Sequence, residues 1–437
     1  MLKQDLATWA QDLNANLNGA VSSAVPQRVV FDSRAIRTGD LFVALQTGQR
    51  DGHEFAESAL EAGAVAVLAS QPVPVPSIQV PDTLAALQTL GGLHRKAVPG
   101  KVFALTGSMG KTTTRRLLHS ILSQRGSVLA TEGNYNNHIG VPLTLCRYTD
   151  EQDVVLEMGA NHQGEIALLR QIARPDVVGI TLAGPAHLEG FGGMDGVVRG
   201  KGEILDELPT HGAAVLNADD PAFETWRERV GDRRVISFGL GRGDVQAQEI
   251  QGSQFVLSLG DQAATVTLAL PGQHQIQNAL CAAAMAHADG VSLGQIVAGL
   301  QAVQPEAGRG QVLHRGSVSL IDDTYNANPE DMRAALQVLL AQDPNGLAIL
   351  GEMRELGEVS EQAHKEVGKA ALELGLTRLW TLEPNIAEGF GASAKLFEDH
   401  GQIAQALDAL DSEQWVLVKG SRGAAMERCF THWKEEA

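Results

Sequence analysis

The sequence predicts an α/β protein of three domains, and three observations lead to this fold class. The chain has 437 residues, which is room for roughly three domains at ~150 residues each. Short apolar strands alternate with amphipathic helices along most of it, which is typical of mainly parallel sheets covered by helices. Two Pro- and Gly-containing segments divide this alternation. We therefore expect a small N-terminal α/β domain (1–99), a central domain with a mainly parallel sheet (100–306) and a C-terminal Rossmann-like α/β domain (307–437).

The N-terminal domain is predicted from strand candidates at 40–45 and 64–68 and from a helix at 84–96. Before them, apolar residues at helical spacing predict an amphipathic helix that carries Leu6, Trp9, Leu13 and Leu17 on one side. Pro99-Gly100 then marks the first domain boundary, and the second falls at 304–310.

The other two domains are predicted from buried-strand patterns separated by helices. In the central domain these strands are 102–105, 154–157, 177–181 and 213–217, with a helix at 164–173 among them. In the C-terminal domain they are 318–321, 347–350, 378–380 and 415–418. Regular alternation of this kind favours doubly wound α/β sheets, which bind ligands at the carboxyl ends of their strands.

A glycine-rich turn between a strand and a helix gives the clearest functional signal. Thr106-Gly107-Ser108-Met109-Gly110-Lys111-Thr112-Thr113 joins the strand at 102–105 to a helix with Leu117, Leu118 and Ile121 on one face. Its backbone N–H groups and the helix N-terminus suit a phosphate, while the lysine reaches outer phosphates and a threonine hydroxyl holds Mg²⁺. Only two residues separate the first glycine from Gly-Lys, where the general pattern has four. An ordinary turn with a surface lysine is the alternative, but the context favours a P-loop ATPase domain.

Two further residues predict a metal site. Glu157 ends a predicted strand, and His187 follows the next one in Pro185-Ala186-His187. Each alone is more often a capping carboxylate or a loop histidine. Together with the phosphate-binding loop they indicate a site for Mg²⁺, which prefers oxygen ligands.

Three polar loops are weaker candidates for binding, because Asn and Gly also simply make turns. The first is the asparagine cluster of 133–140, which contains Asn134, Asn136 and Asn137. The second is Asp322-Asp323-Thr324-Tyr325-Asn326-Ala327-Asn328, which follows a strand. The third is Lys419-Gly420-Ser421-Arg422, where two cations suit a carboxylate.

Composition narrows the classes of partner. The formal net charge is −18, which argues against non-specific binding to nucleic acid or to anionic membranes. The three cysteines, Cys146, Cys281 and Cys429, are far apart, so neither a disulfide framework nor a zinc site is indicated. No apolar run approaches the ~20 residues that span a bilayer, and the N-terminus lacks a signal-peptide pattern. We expect a cytoplasmic protein with no membrane insertion, and a monomer.

Taken together, these motifs resemble the Mur ligase family over nearly the whole chain. The resemblance includes Asp32-Ser33-Arg34 and the segment 39–45, the short phosphate-binding loop, Gly133 to Gly140, and Glu157 to His162. It continues through 186–190, 201–204, 322–328 and 419–422. It is greatest to the member that joins D-alanyl-D-alanine to UDP-N-acetylmuramoyl-tripeptide in an ATP- and Mg²⁺-dependent ligation through an acyl phosphate.

The resemblance implies roles for individual residues. ATP would be held by Gly107, Ser108, Gly110, Lys111, Thr112, Thr113, Asn278, Arg309 and Asp323. The UDP-sugar and dipeptide substrates would be held by Ser33, Arg34, Thr47, Gly48, Asn134, Asn137, Tyr325, Asn326, Asn328, Lys419 and Arg422. Thr112, with Lys111, would hold Mg²⁺ at the ATP phosphates. Glu157 and His187 would bind a second Mg²⁺, and Lys201, as a carbamylated lysine, would supply an oxygen ligand for Mg²⁺. Lys111, Lys201, His187 and Glu157 would be the catalytic set.

Three alternatives remain open at this point. One is another Mur ligase or a folylpolyglutamate synthase-like ligase, against which the Asp-Ser-Arg and Asn-Asn-x-Ile-Gly segments argue. The others are a P-loop NTPase switch and a phosphotransferase that stops after phosphorylating its substrate. A requirement for an amine-bearing second substrate separates a ligase from the last two.

Overall fold

Three β-sheets, each packed against helices, follow one another along the chain. The computed structural model describes residues 4–19, 21–48, 50–97, 99–354 and 356–434. The sheets lie within 16–79, 101–267 and 311–419. Among the described residues, no helix combines the length and the apolar character needed to cross a membrane.

The first sheet belongs to the N-terminal part of the chain. The elements there are α1 (Leu6–Asp12), β1 (Asn16–Asn18), β2 (Val29–Val30), β3 (Leu41–Val43), β4 (Gln46–Thr47), β5 (Arg50–Asp51), α2 (Ala56–Glu61), β6 (Ala66–Ala69), β7 (Ser77–Gln79) and α3 (Thr83–Ala97). The strand order is β1-β7-β6-β3-β2, in which β1 alone runs antiparallel to its neighbour. A separate hairpin is formed by β4 and β5.

The predicted N-terminal helix is shorter than its apolar pattern indicates. Leu6 and Trp9 are buried on α1, but the helix ends at Asp12. Asn14 then has a positive φ of 49°, a conformation that a continuing right-handed helix does not contain. The placement of Leu17 on the helix was therefore wrong, because Leu17 lies in β1 and pairs with Ile78 of β7.

The second sheet forms the centre of the chain. The elements are β8 (Lys101–Thr106), α4 (Lys111–Leu122), β9 (Val128–Ala130), α5 (Gly140–Cys146), β10 (Asp153–Glu157), α6 (Glu165–Ala173), β11 (Val177–Ile180), α7 (Leu188–Phe191), α8 (Met194–Gly202), β12 (Ala213–Asn217), α9 (Phe223–Val230), β13 (Arg234–Leu240), β14 (Val245–Gln251), β15 (Gln254–Leu259), β16 (Gln262–Thr267), α10 (Gln273–Ala288) and α11 (Leu293–Ala302). The strand order is β16-β15-β14-β13-β12-β11-β8-β10-β9, and the sheet is parallel from β9 to β14. An antiparallel β14–β15–β16 ribbon, which the sequence patterns did not predict, extends one edge.

Hydrophobic cores cover both faces of this sheet. On one face, Leu117, Leu118 and Ile121 of α4 are fully buried against β8 and α10, and each such side chain contributes roughly 1.5–3 kcal/mol. On the other face, Ile166 of α6 and Trp226 of α9 pack against Val102 and Val154. The strand ends that carry the predicted site residues are thereby held on a rigid support.

The third sheet belongs to the C-terminal part of the chain. The elements are β17 (Gln311–Arg315), β18 (Val318–Asp323), α12 (Pro329–Gln342), β19 (Leu347–Leu350), α13 (Ser360–Glu373), β20 (Arg378–Thr381), α14 (Pro384–Phe390), β21 (Ala394–Leu396), α15 (His400–Asp408) and β22 (Gln414–Lys419). The strand order is β17-β18-β22-β19-β20-β21, and the sheet is parallel except for the edge strand β17. β17 was not predicted; it is only partly buried, so it lacks a clear apolar pattern.

Candidate active site

The phosphate-binding loop (106–113) connects β8 to α4, as its sequence predicts. Gly107 has φ 147° and Gly110, the N-cap of α4, has φ 77°, values that residues with side chains rarely adopt. A Cβ atom on Gly107 would lie 1.9 Å from Thr181 Oγ1, and one on Gly110 would lie 2.1 Å from Asn278 Oδ1. Both glycines are therefore required by backbone conformation and by space.

Lys111 folds over this loop. Its Nζ donates to the carbonyl oxygens of Gly107 at 2.7 Å and Ser108 at 3.2 Å. Burial lowers the pKa of Lys111, while nearby carboxylates, Glu157 first among them, oppose that shift. A phosphate oxygen would be a stronger, charge-assisted acceptor than either carbonyl, so the lysine is well placed to bind an anion here.

Ser108 fastens the loop to the segment that follows β11. Its hydroxyl donates to Gly184 O at 2.9 Å and accepts from Gly184 N at 2.9 Å. A Cβ atom on Gly184 would lie 2.8 Å from Glu330 Oε2. The loop, the segment after β11 and the start of α12 therefore meet at this glycine.

A cavity of about 450 Å³ opens between the phosphate-binding loop and the third sheet. It brings together most of the residues predicted to bind ATP, along with several predicted for the substrates. The predicted residues that line it are Ser108, Gly110, Lys111, Thr112, Thr113, Asn134, Glu157, Asn278, Arg309, Asp323, Tyr325, Asn326 and Lys419.

Glu157 lies at the floor of the cavity, at the carboxyl end of β10, and is almost fully buried. Its Oε1 accepts from Asn136 Nδ2 at 2.8 Å. Its Oε2 lies 3.4 Å from Arg115 Nε and has no hydrogen-bond partner among the described residues. Arg115 was not predicted as a site residue, and Asn136 was predicted only as part of a polar binding loop. The strand position of Glu157 alone does not reveal which side chains surround it.

The opposite wall comes from the third sheet. The guanidinium of Arg309 lies 3.8 Å from the centroid of the Tyr325 ring. Lys419, at the end of β22, donates to Asp323 Oδ2 at 2.6 Å and to Asn326 O at 2.9 Å, and its side chain is 3% exposed. Lys419 thus forms an ion pair with Asp323, a residue predicted to bind ATP, although the sequence analysis predicted that Lys419 binds the dipeptide.

Two acidic residues on this wall were also missed. Glu330 and Asp331 occupy the first turn of α12 and line the cavity. The signal that could have found them is their place directly after the polar segment 322–328, where Asn328 caps the helix by accepting from Asp331 N at 2.8 Å. Carboxylates in a first helical turn are usually explained by the helix dipole alone.

Several predicted residues lie outside the lining of this cavity. Asn137 Oδ1 accepts from Ile139 N and Gly140 N just before α5, and Arg422 pairs with Glu427 at 2.7 Å. The complete set outside the lining is Ser33, Arg34, Thr47, Gly48, Gly107, Asn137, His187, Lys201, Asn328 and Arg422.

Arg34 lies on the surface of the first sheet's unit and pairs with Asp32 at 2.7 Å. The Arg34 hydrogen bonds lower the pKa of Asp32 to about 2. Thr47 and Gly48 belong to the exposed β4–β5 hairpin. Nearby, the Phe31 ring contacts Tyr135 edge-on at 6.1 Å, so the asparagine cluster of 133–140 reaches this unit.

Lys201 is buried at the end of α8. Its Nζ donates to Ala160 O at 3.1 Å and lies 4.9 Å from the centroid of the Phe191 ring. Burial lowers the pKa of Lys201 to about 7, with a smaller contribution from the charge of Lys111. Much of this amine is therefore neutral near pH 7, the form that acts as a nucleophile.

Comparison with known families gives three matches along the chain. Residues 27–91 match the model described as Mur ligase family, catalytic domain. Residues 105–286 match the Mur ligase middle domain, and residues 308–422 match the Mur ligase, glutamate ligase domain. A UDP-N-acetylmuramoyl-tripeptide–D-alanyl-D-alanine ligase of Escherichia coli K12 is 40% identical to this chain over 445 residues, covering 98% of this chain and 97% of its own.

Solved structures of Mur ligases are also similar to this chain. A crystal structure of MurF from Acinetobacter baumannii superimposes with a TM-score of 0.91 at 36% identity, covering 99% of both chains. MurF ligase from Thermotoga maritima in complex with ADP gives a TM-score of 0.82 at 31% identity, covering 94% of this chain and 97% of its own. The resemblance expected from the motifs is confirmed, and the chain belongs to the Mur ligase family.

Proposed function

We propose that this Mur ligase joins D-alanyl-D-alanine to UDP-N-acetylmuramoyl-tripeptide with cleavage of ATP to ADP and phosphate, forming the UDP-pentapeptide used in peptidoglycan synthesis. The observation that carries the proposal is the cavity of about 450 Å³ in which the phosphate-binding loop faces Arg309, Asp323 and Lys419. The names of the relatives at 35–40% identity over nearly the whole chain support the same substrates.

In the first step, an oxygen of the tripeptide's terminal carboxylate attacks the γ-phosphorus of ATP. The bond from the γ-phosphorus to the bridging oxygen breaks, ADP leaves, and an acyl phosphate forms. Lys111 and the N–H groups of the loop would stabilise the charge on the transferring phosphoryl group. Arg309, the other cavity-lining residue predicted for ATP that is a cation, would contribute from the opposite wall.

In the second step, the amine of D-alanyl-D-alanine attacks the acyl carbon. The carbon–nitrogen bond forms and the nitrogen loses one proton. The bond from carbon to the phosphate oxygen breaks, and inorganic phosphate leaves with the electron pair. Because the acyl phosphate would otherwise react with water, the two walls of the cavity serve to exclude solvent.

The residues at the cavity floor fit a bound Mg²⁺. Glu157 Oε2 is a buried carboxylate oxygen without a hydrogen-bond partner among the described residues, and Thr112 offers a hydroxyl; both are hard donors of the kind that Mg²⁺ prefers. When bound, Mg²⁺ would polarise the phosphate oxygens and offset their charge. Thr112 would hold Mg²⁺ at the ATP phosphates, whereas Glu157, His187 and a carbamylated Lys201 would hold a second Mg²⁺.

The UDP-sugar would lie on the first sheet's unit, against Ser33, Arg34 and the Thr47-Gly48 turn. The contact of Phe31 with Tyr135 supports this arrangement, since it places that unit beside Asn134 and the ATP cavity. Asn137, Asn326, Asn328 and Arg422 remain proposals for the substrates. The ranges 1–99, 100–306 and 307–437 would then be the UDP-sugar, ATP and dipeptide domains of a cytoplasmic monomer that binds no nucleic acid.

The test is phosphate release from ATP and Mg²⁺ with UDP-N-acetylmuramoyl-tripeptide, in the presence and in the absence of D-alanyl-D-alanine. Release that requires both substrates, together with a UDP-pentapeptide detected by mass spectrometry, is the expected result. Release that is indifferent to the dipeptide would contradict the proposal and favour an NTPase switch or a phosphotransferase. Release that depends on a single amino acid or on folate would favour another ligase.

A further inference from the structure

The cavity contains four carboxylates, and they fall into two kinds. Glu157 is held by Asn136 and Arg115, and Asp323 is held by Lys419. Glu330 and Asp331, on the first turn of α12, have neither a hydrogen bond nor an ion-pair partner for their carboxylates among the described residues. Charged groups in a cavity that lack a protein partner are available to a ligand.

Asp331 is the better placed of the two. Glu330 is exposed and reaches toward Gly184, at the edge where the walls meet. Asp331 is half-buried, and its backbone is fixed by the Asn328 cap at 2.8 Å. Its short side chain therefore has little freedom and faces into the cavity from the third sheet's side.

The position of Asp331 along the cavity identifies what it faces. Its charge interacts with those of Lys111, Arg309 and Lys419. Lys111 marks the outer-phosphate end of a P-loop site, which is where an acyl phosphate would form. Asp331 therefore lines the same cavity as Lys111 and Arg309, from the side of the third sheet, and this cavity is where the acyl phosphate would form.

We propose that Asp331 is the catalytic base that receives the ammonium group of the incoming amine and takes one proton from it, so that the amine can attack the acyl phosphate. This inference rests on the proposed ligase function. An α-amino group has a pKa of about 8, so at neutral pH most of the dipeptide arrives protonated and cannot attack. Asp331 accepts one proton from the ammonium group, which frees the electron pair of the nitrogen for attack. As the carbon–nitrogen bond forms and the bond from carbon to the phosphate oxygen breaks, the leaving phosphate takes the second proton that the nitrogen loses.

The surroundings of Asp331 suit this role. Burial raises its pKa, and the charge of Asp323 adds to that shift, while Lys419 opposes it. A raised pKa makes a carboxylate a stronger proton acceptor. The carboxylate also offers an ammonium group its ion-pair partner before the proton is transferred.

Hydroxylamine separates the two steps, because it is unprotonated at neutral pH and traps an acyl phosphate as a hydroxamate without needing a base. We would measure dipeptide ligation and hydroxamate formation for the wild-type protein and for Asp331→Asn, Asp331→Glu and Glu330→Gln, with ADP affinity as the measure of an intact site. For Asp331→Asn we expect ligation to fall at least ~100-fold while hydroxamate formation and ADP affinity stay within about threefold of wild type. Partial recovery of ligation in Asp331→Glu supports a proton acceptor.

Other results overturn the assignment. Equal losses of ligation and hydroxamate formation in Asp331→Asn would mean that Asp331 acts on phosphoryl transfer or on folding. If Glu330→Gln, and not Asp331→Asn, loses ligation while it keeps hydroxamate formation, Glu330 is the catalytic base. If the wild-type protein forms no ATP-dependent hydroxamate from UDP-N-acetylmuramoyl-tripeptide, the proposed function itself is contradicted. The assignment of Asp331 as the catalytic base is then contradicted too, because it depends on that function.

Discussion

Replacing Gly110 by alanine tests whether the phosphate-binding loop depends on its left-handed N-cap. Gly110 has φ 77°, and an L-residue in that conformation costs roughly 1–2 kcal/mol. The new Cβ would also lie 2.1 Å from Asn278 Oδ1. Asn278 must then move, which disturbs its 3.0 Å hydrogen bond to Gln275, worth about 1 kcal/mol.

These terms add to about 2–3 kcal/mol, or roughly a 30- to 150-fold rise in the Kd for ADP at 1.4 kcal/mol per tenfold. The penalty falls on binding because the free loop can relax, whereas the bound nucleotide requires the native backbone. Isothermal titration calorimetry with ADP measures the effect, and circular dichroism checks that the variant is folded.

Gly133→Ala is the matched control. Gly133 lines the same cavity and has φ +51°, but no atom lies within 4 Å of the position that a Cβ would occupy there. We expect its Kd to stay within about threefold of wild type, because Gly133 lies outside the phosphate-binding loop and a Cβ atom there displaces no neighbour. A Gly110→Ala variant that binds ADP as tightly as wild type, or a control that is weakened equally, would refute the reasoning.

Three further predictions concern single side chains. Because burial lowers the pKa of Lys201 to about 7, the neutral fraction of its amine rises from pH 6 to pH 8. The NMR signal of a carbamate formed from ¹³C-bicarbonate should rise over the same pH range and be absent in Lys201→Arg, and a signal that falls as the pH rises would contradict the prediction. Lys419→Met should raise the KM for ATP about tenfold or more and the KM for the dipeptide less. The reason is that Lys419 pairs with Asp323 at 2.6 Å, and removing one member of such an ion pair leaves the other charge without its partner. A larger rise in the KM for the dipeptide than in the KM for ATP would instead assign Lys419 to the dipeptide site. Arg34→Ala should raise the KM for the UDP-tripeptide several-fold, because it would remove a charge-assisted hydrogen bond to the diphosphate, and it should leave ADP affinity unchanged. An equal change in both would exclude a dedicated UDP-sugar role.

Sequence patterns located the strands of the parallel sheets well, because a strand buried on both faces carries a continuous apolar run. The strand predicted at 213–217 has those bounds in the structure. Edge strands such as β17 were missed because their side chains are only partly buried and leave no such run. Leu17 was misplaced because helical spacing persisted past Asn14, where the backbone turns.

In the candidate site, too, some residues could be predicted from the sequence and others could not. The phosphate-binding loop could be predicted because its chemistry is contained in consecutive residues. The surroundings of Glu157 could not, since Arg115 comes from α4 and Asn136 from the loop before α5, and only the fold brings them together. Lys419 shows the same limit, because its partner Asp323 is distant in sequence and is supplied by the parallel pairing of β18 with β22.

The Ser108 hydroxyl, bonded twice to Gly184, has a consequence for the order in which substrates arrive. A nucleotide that draws the loop toward its phosphates also pulls on Gly184, and Gly184 borders Glu330 at the start of α12. The wall that carries Asp331 would then adopt its working position only after the nucleotide has bound. By reciprocity, the dipeptide and the nucleotide should strengthen each other's binding by the same factor, so the coupling between these two of the three substrates would depend on one serine.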